Sequence, residues 1–166
     1  MSQPSASIAL FRHPDQPEKL WLAVWDSHAN HFDFVTAERL ESESWRECLD
    51  REIAWTLNLR RGKDYIISSM ARLHLELPQS ASVLSREEPG GQELKYSAVE
   101  FYVVDLYGQA GITTLANNKQ LHWLSSEEVL SGRAHDGRPV SRSLVRLLTK
   151  ADVIARYNSP DENDRE

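Results

Sequence analysis

One domain of mixed α and β structure, either α+β or α/β, is the fold class this sequence predicts. Three observations carry the expectation. Short runs rich in β-branched and aromatic residues are bounded by turn chemistry, a period-two alternation of leucines recurs in mid-chain, and capping boxes open helices between the strands. A chain of 166 residues is long enough to bury a core as one unit. No internal repeat is visible.

The strands follow in order. Residues 7–12 (SIALFR) and 20–26 (LWLAVWD) flank HPDQPEK, whose two prolines predict a hairpin with a longish loop. Residues 31–35 form a short strand. Over residues 65–77, Leu73, Leu75 and Leu77 alternate with Arg72, His74 and Glu76, which predicts a strand with one buried face. Residues 79–93 lack periodicity and contain Pro89-Gly90-Gly91, so a mobile loop is expected. Residues 95–106 (KYSAVEFYVVDL) are the most apolar strand and belong at the centre of a sheet, and residues 121–124 form a short strand ending at Ser125.

Three helices follow from cap chemistry. Ser44 and Glu47 form a capping box, opening a helix from Trp45 to about Leu57, where Asn58 suits a left-handed terminating position. Ser125 and Glu128 repeat the box, and Gly132 ends that short helix. Ser141 caps the last helix, with Leu144, Leu147, Leu148 and Ile154 near one face. Residues 1–157 are expected to form the domain and residues 158–166 an acidic, disordered tail.

Composition narrows the function classes. Net charge is −6, and about half of it lies in residues 161–166, where four acids face Arg165. The body is only mildly acidic, which argues against a nucleic-acid partner. Cys48 is the only cysteine, so no intrachain disulfide forms. There is no signal-peptide pattern and no apolar run of membrane-spanning length, so a cytoplasmic protein without a membrane partner is expected.

The chemistry concentrates in residues 37–59, AERLESESWRECLDREIAWTLNL. Glu43 lies six positions after Ala37, Arg51-Glu52 eight and nine positions later, followed by Ile53, Trp55-Thr56, Asn58 and Leu59. This frame resembles the Nudix box, in which the positions of Ala37 and Asn58 are glycine and those of Trp55 and Thr56 are glutamates. Phe34-Val35-Thr36-Ala37 occupies the place of the family's aromatic or leucine, proline and two glycines. Residues 121–129 resemble its strand ending in tryptophan before a short helix. The similarity covers residues 7–148 and implies a Nudix-type α/β/α sandwich, with a mixed β-sheet between helices.

In active members of that family the helix glutamates hold magnesium across a substrate diphosphate, as a hard cation requires. Of the three usual ligand positions only Glu52 remains here. The resemblance with its departures implies a catalytically degenerate domain that binds a ligand or a protein partner, as a sensor or accessory subunit. No metal is expected on the helix. The alternative is a divergent hydrolase cleaving a nucleoside diphosphate linked to another moiety, using magnesium and Glu52 with Glu43, Glu47 or Glu100. A purely structural dimerisation module is a third class.

Arg51, Glu52, Trp55 and Thr56 are the candidate cleft residues for a nucleotide-like ligand. Glu43 and Arg51 are expected to pair structurally, pinning the preceding loop to the helix. Two placements are open to Trp55: stacking a base, or plugging the former metal site against Thr36 and Ala37, which is the expectation here. Bland readings suffice elsewhere. His28 and His31 lack a third metal ligand and are expected in solvent, and Cys48 is expected to pack. Glu87, Glu88, Glu93 and Glu100 are expected as surface carboxylates.

Overall fold

The computed structural model describes residues 4–77 and 96–155. The loop expected at 79–93 and the tail expected at 158–166 lie outside the described residues.

Strand β1 (Ser5–Arg12) sends Ile8 and Leu10 into one core and Ala9 and Phe11 into the other. A strand buried on both faces belongs inside a sheet. β1 runs parallel to β7 (Ala98–Leu106) from Ser5↔Ala98 to Arg12↔Asp105. On its other side it meets β2 (Leu20–Asp26) and β4 (Thr36–Glu38), both antiparallel. β2 is flanked by β3 (His31–Asp33) and β8 (Leu121–Ser125), while β5 (Tyr65–Ile67) and β6 (Leu73–Glu76) pair with β7. The result is one mixed sheet of eight strands.

Helices cover both faces. On one, Leu49, Ile53 and Leu57 of α1 (Trp45–Leu57), with Leu115 of α2 (Gln109–Ala116), meet Ala9, Phe11, Tyr65 and Val104. On the other, Val129 of α3 (Ser126–Ser131) and Leu144, Leu147 and Leu148 of α4 (Arg142–Ala151) meet Ile8, Leu10 and Phe101. The expected sandwich, a mixed sheet between helices, is present. No helix among the described residues is long and apolar enough to cross a membrane.

The expected caps are made. The Ser44 hydroxyl accepts from the Glu47 backbone N–H at 3.0 Å, and Glu47 Oε1 accepts from the Ser44 N–H at 2.8 Å. Asn58 ends α1 at φ 59°, donating its N–H to the Ala54 carbonyl. Ser125 and Ser141 cap α3 and α4, and Gly132 ends α3 at φ 85°. Ser44→Ala is expected to cost about 1 kcal/mol. Asn58→Gly should be neutral or slightly stabilising, because glycine adopts positive φ without a Cβ clash. Urea denaturation of both variants checks the pair of outcomes; a clear loss in Asn58→Gly would show that the asparagine side chain has a further task.

Four local differences from the sequence reading have physical causes. Residues 65–77 form two strands, because Ile67 faces Val104 whereas Leu73 faces Phe101. Six steps on one strand therefore match three on its partner, and residues 68–72 bulge out, a break that period-two alternation cannot reveal. The strand expected at 31–35 stops at Asp33, and a separate β4 follows at Thr36. The strand expected from Lys95 begins at Ala98. Helix α2 was not expected: its N-cap Gly108 makes no side-chain cap bond, and Ile112, Thr113 and Thr114 are β-branched. Gly111 instead marks its packing, since a Cβ there would lie 2.9 Å from the Asp64 carbonyl oxygen.

Candidate binding face on helix α1

The loop before α1 is tied to it by an ion pair with fork geometry. Arg51 Nε donates to Glu43 Oε2 at 2.8 Å and Nη2 to Glu43 Oε1 at 2.9 Å, while Nη2 also reaches the Glu38 carbonyl at 2.8 Å. The Leu40 N–H adds a third bond to Glu43. Arg51 first, and that N–H second, hold the Glu43 carboxyl down to about 2. Glu43 therefore stays ionised near neutral pH and its charge is already answered, so it is a poor general base.

Glu52 and Thr56 lie one turn apart, and the Thr56 hydroxyl donates to Glu52 Oε2 at 3.0 Å. The other Glu52 oxygen is 3.7 Å from Arg51 Nη1. Glu47 is held in the capping box. Glu100 accepts from the Tyr102 hydroxyl at 2.7 Å and lies 2.7 Å from His74 Nδ1.

Trp55 corrects the plug expectation. Its side chain is not buried against Thr36 and Ala37 but is 85% exposed. Thr36 and Ala37 lie in β4, and Ala37 is itself buried against Cys48, whose Sγ is 3.6 Å from the Ala37 carbonyl oxygen. Trp55, Arg51, Glu52 and Ala54 instead line an open depression of about 670 Å³. Thr56 is not part of that lining and reaches it only through Glu52.

Cys48 is buried within 3.6 Å of the Ser7 hydroxyl, and burial raises its thiol pKa. A thiol so placed packs and does not attack. His28 is exposed and His31 half-buried.

A second group of polar residues went unnoticed in the sequence. His74 lies between two carboxylates, Nε2 at 2.6 Å from Glu76 and Nδ1 at 2.7 Å from Glu100, with the Trp45 ring edge-on at 5.5 Å. The strand pattern put His74 and Glu76 on one face, but nothing local announces that β7 brings Glu100 beside them. Glu76 and then Glu100 raise the His74 pKa. A raised folded-state pKa contributes stability that is present below about pH 6.5, the ordinary histidine value, and is lost as pH rises through the elevated one. The stability gap between the wild type and His74→Gln should accordingly be wider at acid pH than at alkaline pH. Chemical denaturation across that range measures it, and a gap independent of pH would show that His74 acts through packing alone.

No protein-family model matches the sequence, and the search of curated proteins found no significant match. Solved structures do match. The Ap4A hydrolase of C. elegans superposes over 90% of this chain and 96% of its own, with TM-score 0.55 and 14% identity. A MutT/Nudix family protein of Listeria innocua covers 90% of this chain and 92% of its own, with TM-score 0.55 and 11% identity. The chain has the Nudix fold. The E. coli dihydroneopterin triphosphate pyrophosphohydrolase adds a similar match, with TM-score 0.50, 11% identity, and coverage of 90% and 97%. At such identities the likeness concerns architecture alone.

A Nudix-type magnesium site needs several carboxylate oxygens on one side of α1. Here Glu52 supplies one carboxylate, hydrogen-bonded by Thr56, while Glu43 is paired and Glu47 caps the helix. Among the described residues no group of three or more His, Cys, Asp or Glu side chains could hold a metal ion. The donor set among the described residues does not fit the ion.

Proposed function

We propose that this Nudix-fold domain is catalytically degenerate and works as a binding module, a ligand sensor or accessory subunit that recognises its partner through the outward face of α1. One observation carries the reading. A large indole, Trp55, stands in solvent beside Glu52, at a position where the box frame calls for a metal-binding carboxylate. Exposing an aromatic of that size forgoes the burial that ordinarily accounts for tryptophan in a fold, whereas indoles are enriched where proteins touch partners. The neutral Thr56 and the occupied Glu43 support the same reading.

A second reading has support of its own. Structures sharing the fold are named as hydrolases of Ap4A and of dihydroneopterin triphosphate, and Glu52 lines the same open depression. It would be a divergent hydrolase of a nucleoside diphosphate derivative, using magnesium with Glu52 and carboxylates outside the box.

Incubation with Ap4A and with nucleoside triphosphates at millimolar magnesium or manganese separates the two. The binding module gives no product above the blank, and manganese causes no selective NMR broadening around Glu52. Product that disappears in Glu52→Gln would establish the hydrolase.

A further inference from the structure

Three tryptophans of this domain present ring faces to cations or to solvent, and two of the faces are taken. The Arg39 guanidinium sits 4.6 Å from the Trp45 ring centroid, and the Arg138 guanidinium 4.9 Å from that of Trp25. Trp55 carries no such cation among the described residues. Its surroundings favour one. Residues 37–59 hold six carboxylates against three arginines. Each arginine is committed: Arg39 to Trp45, Ser5 and the Glu43 carbonyl, Arg46 to the Ile67 carbonyl, and Arg51 to Glu43 and the Glu38 carbonyl. The balance of charge beside Trp55 is negative, because the single cation Arg51 meets two carboxylates, Glu43 at 2.8 Å and Glu52 at 3.7 Å. A ligand phosphate would meet Glu52 beside Arg51 here, and among the described residues no donor set could hold a bridging metal.

The shape of the face bears on the size of its occupant. All four residues lining the depression, Arg51, Glu52, Ala54 and Trp55, lie on one helix. One helix makes a one-sided platform, whereas small-molecule sites enclose most of their ligand's surface. A platform centred on tryptophan suits a protein, because tryptophan dominates the energetics of protein interfaces.

Building on the binding-module reading, we propose that this face docks an arginine-bearing segment of a partner protein. The partner's guanidinium stacks on the Trp55 indole, and Glu52 answers its charge. Arginine suits the position better than lysine because its planar, weakly hydrated head lies flat on an aromatic face.

The test titrates an Arg-Gly repeat peptide into the full chain and follows the Trp55 indole N–H resonance, assigned by its absence in Trp55→Phe. A Glu-Gly repeat of equal length and ADP are the parallel probes. The expected result is a saturable shift of the Trp55 signal with the Arg-Gly peptide only. Trp55→Ala should weaken binding about 2- to 30-fold, the span of cation–π contributions, and Glu52→Gln should weaken it too. Trp55 is exposed, so Trp55→Ala stays folded, and a thermal melt verifies it. An unmoved Trp55 signal at millimolar Arg-Gly peptide overturns the proposal, as does equal binding by Trp55→Ala. A Trp55 shift with ADP but not with the peptide overturns peptide docking while leaving the binding-module reading in place. Manganese broadening centred on Glu52, with Ap4A turnover, removes both.

Discussion

Trp21→Ala should destabilise the domain by about 3–5 kcal/mol, while Trp55→Ala changes stability by less than about 0.5 kcal/mol. Trp21 is 0% exposed in the sheet core, and its indole Nε1–H donates to the Ser126 hydroxyl at 2.8 Å. Truncation removes a large apolar volume, leaves a void that the sheet cannot collapse to fill, and strips the buried Ser126 of a donor. Trp55 lies 85% exposed, with nothing packed over it to leave a void. Urea unfolding of the two variants side by side measures the contrast. A substantial loss in Trp55→Ala would restore the plug and empty the proposed binding face.

The second large effect is a gain. Replacing Trp55 and Thr56 together by glutamate should create a divalent-ion site on α1, with a Kd near the millimolar range, a free energy of about −4 kcal/mol. The three carboxylates at 52, 55 and 56 would then lie within one helical turn, since residues three and four apart are neighbours on a helix surface. Without metal they repel one another, so the variant should melt below the wild type. Millimolar magnesium should raise it again in proportion to ion occupancy. Isothermal titration with manganese gives the affinity directly. Should the double variant bind no ion while remaining folded, the helix has lost the geometry of a metal frame as well as its ligands. Turnover is not expected, because Thr36 and Ala37 stand in β4 where the family has flexible glycines.

What the sequence disclosed about the fold was written in local chemistry. Ser44 with Glu47 and Ser125 with Glu128 announce helix starts because a cap needs only residues three apart. Asn58 announces a helix end for the same reason. The nearly continuous apolar run at residues 95–106 announces a strand at the centre of the sheet. The bulge at 68–72 and the short β4 escaped notice because each is set by the register of a partner strand far along the chain. The Glu43–Arg51 pair was legible through the box frame. The outward stance of Trp55 was not, because helical spacing puts it on the same side as Glu52 without saying whether anything packs over it. His74 and Glu100 likewise stand 26 residues apart in the sequence, with nothing local to join them.

The parallel ladder between β1 and β7 has a consequence for how the chain reaches this structure. Its partners, from Ser5↔Ala98 to Arg12↔Asp105, stand 93 residues apart. Closing so long a loop costs entropy before any contact repays it, so the domain belongs among slow folders. During synthesis the hairpin of β1 and β2 and the self-capped α1 emerge well before Ala98. Until then, β1 offers its eight residues as an unpaired edge lined with apolar side chains, a template for joining another chain. The late arrival of β7 gives β1 its partner and ends that exposure, which makes the interval between residues 12 and 98 the period in which this protein is most open to aggregation.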